Sequence, residues 1–496
     1  MKKYVISIDS GTTSNRAVVF DKDLNIKGIS QQEFQQIYPK PGWVEHDANE
    51  IWSTQYKVLQ EALHQNNIDT AEIASIGITN QRETTIIWDR KTGEPVFNAI
   101  VWQDRRTADY CEQLKKDGNI NTIRQKTGLV IDAYFSGTKI RWILDNIEGV
   151  RTRAENGELA FGTVESWIVW NLTKGDLHIT DVSNASRTML FNINTLEWDK
   201  ELLELLDIPE SLMPEVVDSS EIYGHVHQDV LSGNIPISGM AGDQQASLFG
   251  QLCFEKGMVK NTYGTGCFVM MNTGNKPDLG SENLLATIGW KIGDNIQYAT
   301  EGSIFVGGAL VQWLRDNLKI INSAPDIEAL AQEVEDNGGV VIVPAFAGLG
   351  APHWDQFARG TMFGLTRATL PAHIARATLE AIALQVKDAI DEMVKASGFE
   401  IKHLKVDGGA SVNNFLMQIQ SDLLGEDVVR PVITETTALG AALLAGLAVG
   451  FWKDLEDIKK RWKVDRTFHP NAMENKEELI RYWQKGLERT KDWIES

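Results

Sequence analysis

The stretch Asp9-Ser10-Gly11-Thr12-Thr13-Ser14-Asn15-Arg16 concentrates phosphate-binding chemistry in one turn. It lies between the apolar runs Tyr4 to Ile8 and Ala17 to Phe20. Two β-branched-rich runs around a segment of Gly, Ser and Asn read as a β-hairpin. The tip offers the hydroxyls of Thr12, Thr13 and Ser14 with backbone N–H groups that can converge on an anion. Arg16 adds a positive charge that does not titrate, unless it is spent on a surface ion pair. Asp9 would repel such an anion unless a cation lies between them, and magnesium is held by one or two carboxylates together with substrate phosphates. Two readings are open on these residues alone: a Mg-nucleotide cradle, or a polar turn in which Asp9 satisfies backbone amides.

Other residues could complete such a site. Arg82 and Glu83 follow the buried strand Ala74 to Thr79, and α/β folds place ligand-binding groups at strand ends. An adjacent Arg-Glu pair also serves as a structural salt bridge. Asp243 follows a short apolar strand and a glycine, where a carboxylate can act as general base or cap the helix that opens there. Tyr134 and Gln244 both donate and accept, while Trp102 and Phe268 can cover a carbon skeleton or belong to the core. Gly264-Thr265-Gly266, between Met258 to Tyr263 and Cys267 to Met271, is a second Gly-Thr hairpin. The recurrence suggests an internal duplication with a ligand between the copies. Gly308 and Gln312 stand one turn apart at a helix start. Gly409 lets the chain pass close to a base or ribose, with Asn413 nearby.

The elements that must carry these groups alternate between strand and helix. A third strand is expected near Lys27 to Phe34, then helices around Ile51 to Leu63 and Thr138 to Asp145, a helix over Gly308 to Ile320, a strand over Val340 to Pro344 and a long helix around Ile374 to Lys395. The Ala- and Gly-rich helix after Thr437 is too short for a bilayer and reads as a packing element between domains. The tail from Asp454 reads as helical and solvated.

At 496 residues, the chain exceeds what one core supports, so two or three domains are expected. A net charge of −20 argues against nucleic acid or an anionic membrane as the main partner. Three scattered cysteines, Cys111, Cys253 and Cys267, indicate no disulfide framework and fit a reducing cytoplasm. No Gly-x4-Gly-Lys-Ser/Thr, Gly-x-Gly-x-x-Gly, His-Glu-x-x-His or Gly-x-Ser-x-Gly occurs, which removes P-loop and Rossmann readings and weakens protease and serine hydrolase ones.

The opening hairpin, Gly264-Thr265-Gly266 and Val406-Asp407-Gly408-Gly409 resemble the phosphate and adenosine loops of the actin, Hsp70 and sugar-kinase ATPases. Phe135 to Asn146, and Gly360 to Leu365 with its continuation through Glu380, are similar to the two signature segments of the FGGY carbohydrate kinases. Asn80-Gln81-Arg82-Glu83-Thr84, Asp132-Ala133-Tyr134, Ala241 to Gln245 and Asn261 to Phe268 resemble, in particular, the members acting on glycerol. The likeness spans nearly the whole chain. It implies an α/β fold of two RNase H-like domains, 1–252 and 253–496, flanking a deep catalytic cleft.

It further implies γ-phosphoryl transfer from ATP with Mg2+ to glycerol. Asp243 would be general base, Asp9 and Asp243 would reach the metal through water, and Arg16 would join them in catalysis. Arg82, Glu83, Trp102, Tyr134, Asp243, Gln244 and Phe268 would hold glycerol. Thr12, Thr13, Ser14, Arg16, Thr265, Gly308, Gln312, Gly409 and Asn413 would hold the nucleotide. A homodimer or homotetramer in the cytoplasm, without stable membrane insertion, is implied as well.

Two departures stand out. Ser10 replaces the usual Gln after the first Asp. Asn234 stands where some bacterial members carry an arginine for fructose 1,6-bisphosphate, so weak or absent inhibition by that compound is expected; His225 and His227 lie near the place of a phosphorylatable histidine in other members. Two alternatives are open: a related kinase acting on a pentulose or erythritol, and a nucleotide-driven switch that phosphorylates nothing.

Overall fold

A computed structural model of the protein describes residues 2–494. Its frame is two sheets with one strand plan. The first has six strands in the order 220–225, 236–242, 73–80, 4–10, 14–21 and 26–33. Tyr4–Ser10 pairs antiparallel with Ser14–Asp21 and parallel with Ile73–Asn80, which in turn pairs parallel with Pro236–Gly242. The second has seven, ordered 285–292, 295–304, 267–274, 259–263, 403–407, 427–431 and 464–468. Val259–Tyr263 likewise pairs antiparallel with Cys267–Gly274 and parallel with His403–Asp407, which pairs parallel with Asp427–Pro431. A hairpin extended by a third antiparallel strand on one side and two parallel strands on the other therefore occurs twice. This is the duplication that the paired Gly-Thr hairpins suggest.

The central strands are covered on both faces, as parallel sheets flanked by helices require; every residue of Ile73–Asn80 is buried. The helix Ala48–His64 turns Ile51, Val58, Leu59 and Leu63 inward, with the Asp47 side chain accepting from Asn49 and Glu50 N–H at its start. The helix Thr436–Ala448, apolar all round, is buried almost throughout. It belongs to the C-terminal part of the chain yet lies on the first sheet. A Cβ on Gly77 would fall 2.1 Å from the Ala441 carbonyl oxygen, and one on Gly440 would fall 1.8 Å from that of Ala246. Small residues thus allow backbone to meet backbone, and one apolar cluster runs from Val5, Val18 and Phe249 through Met270 to Leu439 and Leu443.

Three expectations are corrected. The first strand ends near Asp9 as expected, but the turn is narrower on its far side: Ser10 pairs with Asn15 and Asp9 with Arg16, so the second strand begins at Ser14 and only Gly11, Thr12 and Thr13 form the tip. The helix from Gly308 ends at Asp316. The tail is not simply helical: Val464–Phe468 adds an edge strand to the second sheet, and the helix Lys476–Thr490 buries Leu479, Trp483 and Leu487. Among the described residues no helix is long and apolar enough to cross a membrane.

Candidate active site

The first turn is held from behind through its carbonyls. The Gly11 carbonyl accepts from Gln81 Nε2 at 3.0 Å, that of Thr12 from Gln36 Nε2 at 3.0 Å, and that of Thr13 from the Phe34 N–H at 3.3 Å. The Ser14 hydroxyl accepts from Gln31, and the Thr12 hydroxyl accepts from Trp102 Nε1 at 3.0 Å. With its acceptors engaged by the scaffold, the tip presents donors, and Thr13 is exposed. Ser10 is fully buried and donates to Asn15 Oδ1 at 2.6 Å, while Asn15 donates to Thr54 and the Ile51 carbonyl. The departure at Ser10 is thus absorbed into a closed network.

Arg16 is ion-paired with Glu435, at the start of the Thr436–Ala448 helix, so its guanidinium is half-committed before any anion arrives. The Asp9 carboxylate is buried and has no hydrogen-bond partner among the described residues. Burial pushes its carboxyl up to about 6; Arg16 opposes the rise, and Glu435 and Asp243 add to it. A cation between Asp9 and Asp243 would relieve this repulsion. Among the described residues no three acidic, His or Cys side chains cluster for a metal. Two carboxylates completed by phosphates and water suit magnesium, so the residues present fit it.

Arg82 and Glu83 sit just beyond strand Ile73–Asn80 and are almost fully buried. Glu83 adopts φ 62°, a left-handed conformation uncommon for a non-glycine residue and found at functional sites. Arg82 Nε lies 3.1 Å from Asp243 Oδ1, its Nη1 3.2 Å from Gln245 Oε1, and its Nη2 3.3 Å from the Tyr134 hydroxyl and 3.1 Å from Glu301 Oε1. Arg187 Nε donates to Glu83 at 2.6 Å, and its Nη2 to Glu301 at 3.0 Å. Burial alone would raise the Glu301 carboxyl, but Arg187 and Arg82 together hold it down to about 2. Burial likewise raises Glu83, against the pull of the same two guanidiniums, and drives the Tyr134 hydroxyl upward.

Asp243 is the first residue of the helix Asp243–Gly250, so Gly242 rather than Asp243 is its cap. The Gly242 N–H is anchored by the Ser183 hydroxyl at 3.0 Å. Asp243 Oδ1 also accepts from the Gln244 N–H at 2.7 Å, and its second oxygen has no partner among the described residues. That oxygen is free to take a proton. Gln244 Oε1 accepts from Lys260 Nζ at 2.6 Å, leaving the Gln244 amide hydrogens for a ligand. Burial lowers Lys260 to about 8 despite Asp407 and Asp243. Trp102 meets Tyr134 and Phe268 edge-on, with centroids 5.6 Å and 6.4 Å apart, and forms an apolar wall. A cavity of about 1000 Å3 opens beside Trp102, between Arg105 and Asp132 of the first half and Phe305 and Trp354 of the second.

The second turn repeats the pattern of the first. The Gly264 carbonyl accepts from Gly308 N–H at 2.8 Å, and that of Thr265 from Gly307 and Ala309 N–H, which fixes the turn on the helix Gly308–Asp316. Thr265 and, one turn into that helix, Gln312 are exposed. Gly408, at φ 84°, packs so that a Cβ would lie 2.7 Å from the Tyr263 carbonyl oxygen, whereas Gly409 has nothing within 4 Å of where its Cβ would be. Gly408 is therefore required by the chain, and Gly409 faces open space. Asn413 Oδ1 caps the next helix through the Leu416 N–H at 2.8 Å, leaving its amide hydrogens as donors.

The structure thus joins Thr12, Trp102, Tyr134, Phe268, Arg82, Glu83 and Asp243 by direct contacts, and Gln244 through its N–H bond to Asp243. On the second half, Thr265 and Gly308 are brought together through the bonds of Gly308 to Gly264 and of Thr265 to Gly307 and Ala309. Among the described residues no side-chain hydrogen bond or ion pair ties Gln312, Gly409 or Asn413 to the first half. Sequence reasoning missed Glu301, Arg187, Gln245, Lys260 and Glu435. Arg187 had a signal, a charge ending the polar run from Thr180; Glu301 had a fainter one, a lone carboxylate in the strand Asn295–Ile304.

Two repeated α/β sheets, each with a Gly-Thr hairpin, define the two-domain ATPase architecture of the sugar kinases. The chain belongs to the FGGY family of carbohydrate kinases: residues 4–250 match the family's N-terminal domain and 259–449 its C-terminal domain. It is 61% identical to the glycerol kinase of Burkholderia multivorans over 494 residues, 99% of each chain. It is 59% identical to that of Oleidesulfovibrio alaskensis over 496 residues and the full length of both. The solved Plasmodium falciparum glycerol kinase with ADP superposes with a TM-score of 0.90 at 38% identity over 99% of both chains. A xylulose kinase of Lactobacillus acidophilus, 23% identical over 98% of each chain, shares the fold with a TM-score of 0.88.

Proposed function

We propose that the protein transfers the γ-phosphoryl group of ATP to a terminal hydroxyl of glycerol, giving sn-glycerol 3-phosphate. The observation that carries this reading is the placement of Asp243: one carboxylate oxygen is held by Arg82 and the other is free, and Arg82 in turn touches Tyr134 and Phe268, the rings that meet Trp102 edge-on. The identity of about 60% to full-length glycerol kinases supports glycerol as acceptor.

In this reading residues 1–252 hold glycerol and the first phosphate turn, and residues 253–496 hold most of the nucleotide. Arg82, Glu83, Tyr134 and Gln244 pair with the polyol hydroxyls, and the aromatic wall covers its carbons. The free oxygen of Asp243 accepts the proton of the attacking hydroxyl. Thr12, Thr13, Ser14, Arg16 and Thr265 donate to the phosphates, because phosphoryl transfer needs positioning and charge neutralisation more than covalent chemistry. Gly308, Gln312, Gly409 and Asn413 contact the rest of the nucleotide. Asp9 and Asp243 would hold magnesium, which when bound would supply charge neutralisation at the phosphate oxygens. Docking of the two halves around the site excludes water, which limits ATP hydrolysis.

The test is Asp243→Asn. Nucleotide binding persists and turnover falls by roughly 100-fold or more. Unchanged turnover removes Asp243 from the role of base.

A further inference from the structure

We propose that Glu301, contributed by the second half of the chain, is the positioning residue that sets the polyol-recognising pair Arg82 and Glu83. Its carboxylate is fully buried. Arg82 binds it through Nη1 and Nη2, Arg187 through Nη2 at 3.0 Å, and Ser303 Oγ donates to Oε1 at 2.8 Å. Arg187 is equally buried and passes the constraint on, donating from Nε to Glu83 at 2.6 Å. One carboxylate therefore fixes the fork of Arg82, leaving its Nε on Asp243, and through Arg187 fixes Glu83 in its left-handed backbone conformation.

The origin of Glu301 gives the arrangement its meaning. Glu301 and Ser303 are two apart on the strand Asn295–Ile304 and so share a face. Ser303 is the register partner of Phe268, which closes the aromatic wall. The second half thus delivers both the apolar cover and the counter-charge to a pocket whose hydrogen-bonding groups come from the first half. Polyol recognition is complete only when the halves are docked, and Glu301 ties that docking to the geometry of Arg82 and Glu83.

Without Glu301, two buried guanidiniums would face each other with only Glu83 and Asp243 as counter-charges, and Arg82 would turn toward a new partner. Glu301 is fully buried and acts through Arg82 and Arg187, which hold its carboxylate. Its effect is expected on the acceptor and not on the nucleotide.

This inference rests on the glycerol-phosphorylating reading, and the wild-type protein assayed alongside keeps the two apart: absence of glycerol-dependent ADP release fails that reading, not this one. The experiment is steady-state kinetics of Glu301→Gln together with ADP affinity by calorimetry. We expect the KM for glycerol to rise by roughly tenfold or more, as loss of a charged hydrogen bond implies, while ADP affinity stays within about twofold. A purely structural role would lower thermal stability and active fraction and leave the glycerol KM alone. Should Glu301→Gln fail to fold, Ser303→Ala removes one of the bonds to the same carboxylate, and a rise of roughly twofold to fivefold in glycerol KM is expected. An unchanged glycerol KM in whichever of the two variants folds overturns the proposal.

Discussion

Trp102 Nε1 donates to the Thr12 hydroxyl at 3.0 Å, so the ring that meets Tyr134 and Phe268 edge-on also holds the first Gly-Thr turn. Because Thr12 Oγ1 accepts from the indole, its own hydrogen is directed elsewhere, toward the anion the turn would bind. Trp102→Phe keeps an aromatic wall and deletes only the donor. The expected result in steady-state assays is a kcat lower by roughly fivefold, the worth of about 1 kcal/mol, with a smaller change in glycerol KM. A KM effect with kcat intact would assign Trp102 to the wall alone.

Asp9 is a carboxylate buried without a hydrogen-bond partner among the described residues, and its carboxyl sits up at about 6. Its ionised form is disfavoured in the ligand-free fold, so at neutral pH it costs stability. Asp9→Asn is therefore expected to raise the stability of the ligand-free protein by on the order of 1 kcal/mol. The same variant loses phosphoryl transfer and magnesium-dependent nucleotide affinity. Thermal melts and nucleotide titrations with and without magnesium check both halves.

Gly408 and Gly409 are adjacent but differ in kind. Gly408→Ala places a Cβ 2.7 Å from the Tyr263 carbonyl at positive φ, and should destabilise by on the order of 1–3 kcal/mol. Gly409→Ala meets nothing of the protein within 4 Å, so its stability is expected to be unchanged within about 0.5 kcal/mol. Its nucleotide KM is expected to rise, because the added methyl occupies space assigned to the ligand. Denaturation curves and ATP kinetics on the two variants separate the roles.

His46 accounts for part of the pH dependence. Its Nε2 lies 2.8 Å from Gln36 Oε1 and its Nδ1 3.4 Å from Gln81 Nε2, so it supports the two amides that hold the first turn. Burial keeps the imidazole neutral, lowering it to about 3. The folded state then binds fewer protons than the unfolded chain between that value and about 6.5, and stability is lost as pH falls through this window. Denaturant unfolding at pH 7 and pH 5 should show a difference between wild type and His46→Gln of about 2 kcal/mol, with the wild type losing more.

Much of this was legible in sequence because it depends on local order. The two Gly-Thr hairpins, the buried strand before Arg82 and the glycine before Asp243 each declare themselves within a dozen residues. The first strand's end at Asp9 was legible, but the start of the second was not: Ser14, Asn15 and Arg16 read as turn residues, whereas ladder pairing carries them into the strand against local preference. The strand Val464–Phe468 looked solvated because most of its side chains are exposed; its backbone pairing, not its burial, makes it part of the sheet. Glu301 and Arg82 are 219 positions apart, and Arg16 and Glu435 are 419 apart. No window along the chain contains both members of either pair, so only the docked halves reveal what each charge answers.

The most direct test of the central claim is ADP release by the purified protein, with ATP and magnesium, across glycerol, erythritol, xylulose and gluconate. The pocket formed by Arg82, Glu83, Tyr134, Gln244 and the Trp102–Phe268 wall predicts the highest kcat/KM for glycerol and a phosphorylated product in step with ADP. A higher kcat/KM for another acceptor, or ADP release that ignores every polyol, would contradict it.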